Sequence, residues 1–421
     1  MPEITKLAHG VEGLFVENSR FNTTLVSFNF YLPLMHETYE ENALLPYVLS
    51  SCSEEYDNFR KLNIKLGNLY GATLSTSNSK MMDYQCLNIA ISVINDQYTL
   101  DGEGVVNEAA KLLASLIFNP ALENESFREI DVNREKLQML DRIKGEINDK
   151  RGFARAKAVS MLFGDDPYGV SRYGEEMKME KVTGYDLYNA WERMLRTAFI
   201  RVNVIGAKLP NGLWNAVSSA FSAIKRDNVT EFKGFNTPAF KTEEKTDYMS
   251  VSQGKLVMGF SLGEVKAERD TAATTVMADI FGGGPYSRLF TNVREKMSLC
   301  YYCACQAVKN KGFMLVDSGV EAENSEKAKK EILNQLEIMK KGEFTDDEFS
   351  ASIIGICDSV KSLEDSLSTL NAFYTSRAFD SSVSSPSELT KLIKQVTRED
   401  VIKAANNVTP LVTYMLLPEG K

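Results

Sequence analysis

Histidine is almost missing from this chain. Its 421 residues hold two, His9 and His36. Neither has a second histidine three or four positions away, so no helical zinc pair can form from this chain alone. The run His36-Glu37-Thr38-Tyr39-Glu40-Glu41 starts like a metal-binding motif, but Glu40 stands where the second histidine belongs, and it reads as a solvated acidic loop. A basic surplus is also absent, since 48 lysines and arginines face 57 aspartates and glutamates. That balance argues against a nucleic-acid partner, which needs a basic stripe. No run of about 18 apolar residues occurs, and MPEITKLAHGVEG has no apolar leader core, so no membrane span and a cytoplasmic protein are expected. Neither Gly-Lys-Ser/Thr nor G-x-G-x-x-G is found around Gly282, Gly283 and Gly284, which removes the usual nucleotide sites. The six cysteines form no paired framework. Cys300, Cys303 and Cys305 cluster in a β-like run without a nearby histidine, and they read as buried thiols rather than a metal or redox centre.

What is present is a pattern that occurs twice. Leu25 to Leu32 and Lys255 to Leu262 are strongly apolar strands. Each precedes a helix (Asn42 to Cys52; Arg269 to Phe281) and a second helix (Asp57 to Leu69; Ser287 to Leu299). Strands Tyr84 to Val93 and Gly312 to Val320 come next, then long helices. Val182-Thr183-Gly184-Tyr185-Asp186 and Val396-Thr397-Arg398-Glu399-Asp400 each open a further helix with the same V-T-x-x-D signal. Lys6 to Val16 with Thr23 to Leu34 reads as a first hairpin, and Ser126 to Arg151 as one long helix. The period of about 210–230 residues is too long for a solenoid and implies a duplicated α+β domain. The expected division is a first domain over 1–224, a polar linker over 225–245 and a second domain over 246–421.

The stretch FGGGPYSRLFTNVREKMSLCYY, Phe281 to Tyr302, is the densest in chemistry. Glycines and Pro285 make a turn, and Ser287 can cap a helix with Leu289, Phe290 and Val293 on its apolar face. Arg294 and Tyr301 then lie seven residues apart across a helix-to-strand junction, where one fold can aim both at one point.

SRLF and VREK-x-x-LCY (Ser287 to Tyr301), Asp166-Pro167-Tyr168-Gly169 with Gly174 behind it, and both V-T-x-x-D helices make the chain resemble the insulinase-type (pitrilysin) metallopeptidase family. The run from Leu32 to Leu74 is similar to a bacterial subgroup named for association with elongation factor P modification. The resemblance implies a clam-like pair of homologous domains, each a mostly antiparallel sheet packed with helices. In active members it implies a zinc site built from H-x-x-E-H, with two histidine ligands, a glutamate base and a distant acidic ligand. At the corresponding positions this chain has Leu45, Val48 and Leu49, with Arg142 near the third ligand and Glu135 at a neighbouring acidic position. These are degenerate metal positions, so the chain is expected to hold no metal and no cofactor.

The resemblance also assigns Arg294 and Tyr301 to the family's pair that hydrogen-bonds a substrate carbonyl and its developing oxyanion. The implied role is a non-catalytic subunit that binds peptide beside a zinc-bearing paralogue in a heterodimer; a homodimer stays open. A peptide- or partner-binding scaffold without proteolysis is the alternative, and an autonomous zinc peptidase is disfavoured by the missing histidines. Thr73 to Ser77 is the candidate edge strand for holding an extended peptide.

Overall fold

The computed structural model describes residues 2–419. The first copy contains strands β1 (Glu3–Ala8), β2 (Val11–Glu17) and β3 (Thr23–Pro33), then helices α1 (Tyr39–Leu49) and α2 (Phe59–Asn68). Strands β4 (Thr73–Met81) and β5 (Tyr84–Ile94) precede helices α3 (Val105–Phe118), α4 (Glu129–Gly145), α5 (Lys150–Phe163) and the short α6 (Glu176–Met179). Helix α7 (Gly184–Thr197), strand β6 (Phe199–Gly206) and helix α8 (Leu213–Ser222) complete it. The second copy has β7 (Glu243–Met249), β8 (Gly254–Ser261), α9 (Ala272–Gly282), a π-helical segment at Leu289–Lys296, β9 (Cys300–Val308) and β10 (Phe313–Val320). Helices α10 (Ser325–Lys340), α11 (Asp346–Ser362), α12 (Leu367–Thr375), α13 (Pro386–Lys394) and α14 (Arg398–Asn406) lead to β11 (Thr409–Pro418).

The duplication is written in the sheets. The first runs β1-β2-β6-β3-β5-β4 and the second β7-β11-β8-β10-β9. Without β1 the two orders correspond strand for strand, including one parallel pair in each, β2 with β6 and β7 with β11. The repeated helix starts also match. Thr183 and Thr397 each accept a hydrogen bond from the backbone three residues on, while Asp186 and Asp400 reach back to the threonine N–H. The chain is therefore an α+β protein of two homologous domains.

The compact units are interleaved rather than cut at one linker. One comprises residues up to Lys144, Ser171–Lys233 and Ser366–Phe379; the other comprises Gly145–Val170, Gly234–Asp365 and the residues from Asp380 on. So α5 packs on β8, β10 and β11, and α12 packs on β3 and β6. The contiguous halves 1–224 and 246–421 follow the sequence repeat, whereas these two helices follow their packing. The reason for α12 is visible in its partners. Ser27 Oγ and Asn203 Nδ2 donate to Asn371 Oδ1 at 2.9 and 2.8 Å, and Tyr31 Oη donates to the Thr375 carbonyl at 2.9 Å. Buried polar groups of β3 and β6 would be unpaired without that helix.

Three expectations shift. The first hairpin is β1 with β2, because β6 inserts between β2 and β3. The long helix expected over Ser126 to Arg151 breaks after Gly145, and Asp149 restarts it as α5 by accepting from Gly152 N at 3.0 Å. The expected linker ends early, since β7 begins at Glu243.

Replacing Asn371 by alanine leaves Ser27 and Asn203 without this acceptor in the core. The expected cost is about 1–3 kcal/mol, read as a lowered denaturation midpoint. An unchanged midpoint would show that α12 is not anchored by this bond network.

Candidate functional site

Helix α1 carries Leu45, Val48 and Leu49, the positions where the resemblance would put the metal site. Leu45 and Leu49 are 0% exposed and Val48 is 1% exposed, so three hydrocarbon side chains occupy the interior where ligands and base would be needed. Gln85 on β5 pins the helix by donating to the Tyr39 carbonyl at 3.1 Å and accepting from Asn42 Nδ2 at 3.1 Å. On α4, Arg142 stacks its guanidinium 4.7 Å from the centre of the Tyr47 ring on α1. The acidic groups nearby are neutralised. Asp131 pairs with Arg128 at 2.6 Å and Arg134 at 3.2 Å, and Glu135 accepts from Arg134 Nε at 2.9 Å. Among the described residues no group of three or more His, Cys, Asp or Glu side chains is placed to hold a metal. Three carbon side chains and an arginine do not fit zinc, and no catalytic step is derived through it. Glu40, from the run that starts like a zinc motif, is instead a structural acceptor for Glu175 N at 2.9 Å, and burial pushes its carboxyl up.

The Arg294–Tyr301 joint lies in the second copy. Glycine is required at 282 and 283 for space. A Cβ at Gly282 would lie 2.7 Å from Cys305, and one at Gly283 would lie 2.0 Å from the Asp279 carboxylate. These glycines let α9 approach its neighbours. The segment beyond is a π-helix, not the expected α-helix, with Met297 N bonding to Asn292 O at 3.1 Å. Ser287 still receives Phe290 N, at 3.4 Å. Leu289 and Val293 anchor the segment in the core. Its last turn is tied back by Ser298 N to Arg294 O and Leu299 N to Val293 O, both 3.1 Å. Ser298 takes φ +51°, and β9 starts at once.

Both expected side chains emerge from this joint. Arg294 lies over the Phe290 ring, 4.4 Å from its centre, with Glu295 at 3.5 Å. Tyr301 is 60% exposed, and its hydroxyl donates to Glu321 Oε1 at 2.9 Å. That hydrogen bond and the Glu321 charge hold the phenol above its ordinary range, so it stays a proton donor at neutral pH. The joint thus presents a guanidinium and a phenol O–H, both donors suited to an oxygen carrying negative charge. The sequence pattern placed Phe290 on the apolar face without its contact to Arg294, and it missed Glu321.

A family profile described as "Peptidase M16 inactive domain" matches residues 181–355. A Bacillus subtilis protein, "Probable inactive metalloprotease YmfF", is 28% identical over 407 residues, covering 97% of this chain and 96% of that one. Over these spans the chain is similar to the M16 peptidase family. Solved M16-like folds extend the likeness. A conserved protein from Enterococcus faecalis aligns with a TM-score of 0.90 at 24% identity, covering 100% of this chain and 99% of that one. A peptidase M16 inactive domain from Pseudomonas fluorescens aligns with a TM-score of 0.79 at 18% identity, over 99% and 98% of the two chains. At these identities the structural match speaks for the M16 fold.

Writing the M16 motif back into α1 with Leu45→His, Val48→Glu and Leu49→His is expected to give no stoichiometric zinc. It should lower stability by several kcal/mol, because polar groups replace packed core side chains. Elemental analysis and a denaturation curve check both. Tight one-to-one zinc in the triple variant would show that the third position is not degenerate.

Proposed function

We propose that this chain is a non-catalytic M16 subunit that lends Arg294 and Tyr301 to a peptidase site assembled with a zinc-bearing paralogue. The observation carrying the reading is the contrast between the two places. The expected metal positions are solid core, yet the joint keeps an exposed phenol, Tyr301, and a half-buried guanidinium, Arg294, on a constrained backbone. A side chain held only by Glu321 is not needed for packing, so its exposure calls for a use. The partner would supply metal, water activation and base. This chain would supply charge stabilisation where the carbonyl oxygen becomes negative, a step in which one donor is worth about 10²–10³ in turnover.

Peptide binding has its own support. Strand β4 ends the first sheet, and its residues alternate between exposed and half-buried from Thr73 to Lys80. An edge of this kind accepts an extended peptide as a further strand. The scaffold reading has one observation in its favour, the carboxylate of Glu321 on Tyr301, which a substrate oxygen would have to displace. Among the described residues no helix is long and apolar enough to cross a membrane, and we place the assembly in the cytoplasm.

In the mixed complex, Arg294→Ala and Tyr301→Phe are each expected to lower turnover about 10²-fold while the association constant with the paralogue holds. Wild-type turnover in both variants would transfer the assignment to the scaffold reading.

A further inference from the structure

We propose that Cys300 and Cys303 form a thiol–disulfide pair whose closure displaces Tyr301. Spacing alone speaks against contact, because side chains three apart on a regular strand point to opposite faces. The ladder between β9 and β10 removes that objection. Cys303 pairs with Ser318, Tyr302 with Gly319 and Cys300 with Val320, so Tyr301 has no partner of its own. Tyr301 is the extra residue of a bulge. Since paired residues share a face and Ser318 and Val320 are two apart, both cysteines lie on the face of Ser318 and Val320.

The chemistry of the two thiols differs. A hydrogen bond from Cys303, then one from Ser318 and the charge of Arg294, outweigh burial and bring Cys300 down to about 7. The same contact and burial push Cys303 up. A thiol near 7 is substantially ionised at neutral pH and is the nucleophile of the pair. Cys305 shares the face but is out of play. It is pressed against Gly282, its sulfur is 3.6 Å from the Met314 sulfur, and burial pushes it to about 12. Cys300 is 9% exposed, on a strand that ends its sheet and directly follows the exposed Ser298 turn, so a small reagent has access through motion of one strand end.

The reagent class is a low-molecular-weight disulfide, RSSR. The Cys300 thiolate attacks one of its sulfurs, forming Cys300–S–S–R and releasing RS⁻, which is protonated to RSH. Cys303, losing its proton, attacks the Cys300 sulfur and expels the second RS⁻, likewise protonated to RSH. Two cysteine thiols are oxidised to one disulfide, and RSSR is reduced to two RSH. Closure has a mechanical consequence. Across the bulge the two cysteines lie opposite Val320 and Ser318, two strand steps or roughly 7 Å apart, whereas a disulfide holds its Cα atoms about 5.5–6 Å apart. The shortening must be taken up at the bulge, which is Tyr301, pulling its hydroxyl off Glu321. The thiol chemistry is independent of the proposed function, and only its effect on turnover rests on that reading.

The test equilibrates the full-length chain with oxidised glutathione, alkylates the remaining thiols and maps them by mass spectrometry. The expected result is loss of two of the six thiols as a Cys300–Cys303 crosslink. That crosslink should survive in Cys305→Ser, and Cys303→Ser should leave Cys300 carrying glutathione. Alkylation of both Cys300 and Cys303 in the equilibrated wild type, or a crosslink to another cysteine, overturns the pair. Amide exchange at Tyr302 and Gly319 is expected to accelerate on closure. Unchanged exchange in a crosslinked chain overturns the displacement of Tyr301.

Discussion

The wide backbone turn between Asn292 and Leu299 is the constraint on which the functional reading depends. Its hydrogen bonds, Met297 N to Asn292 O and Leu299 N to Val293 O, both at 3.1 Å, fix how a helical segment becomes an edge strand. An α-helix would rotate each following residue by 100° and bring Arg294 out on another side. The π geometry, the left-handed Ser298 and the bulge at Tyr301 follow one another between Leu289 and Tyr301. Such irregularities cost free energy and persist where the surroundings enforce them. Here Leu289, Val293 and the close approach at Gly282 do the enforcing.

Helix α1 sets the second constraint. A zinc site needs polar groups held in the interior, which is costly unless metal compensates. With Leu45, Val48 and Leu49 buried, α1 is ordinary core and needs no metal to hold it. Around it, Arg128 and Arg134 pair with Asp131, and Arg142 stacks on Tyr47.

Much of this was legible in the residues. Alternating and 3.6-residue apolar periods, together with repeated V-T-x-x-D starts, are local signals, and they located most strands and helices and the duplication. The exchange of α5 and α12 was not legible. It rests on long-range pairs such as Ser27 with Asn371, which leave no periodic trace. The place of β6 between β2 and β3 is hidden for the same reason. At the site, the identities of Arg294 and Tyr301 could be read, but the π turn could not, because SRLFTNVREK has a good α-helical pattern and tertiary packing overrides it. The cysteine cluster read as buried thiols, and Cys300 and Cys303 are free and buried; that the two share a face was not legible, because a bulge is set by the partner strand.

The measurement that reaches the central claim most directly is zinc content and peptide hydrolysis of the purified chain, alone and after mixing with a zinc-bearing paralogue. The account predicts no stoichiometric zinc and no hydrolysis alone, with hydrolysis that needs both chains once they are mixed. Stoichiometric zinc with activity in the lone chain, or a mixture no more active than the paralogue by itself, would contradict it.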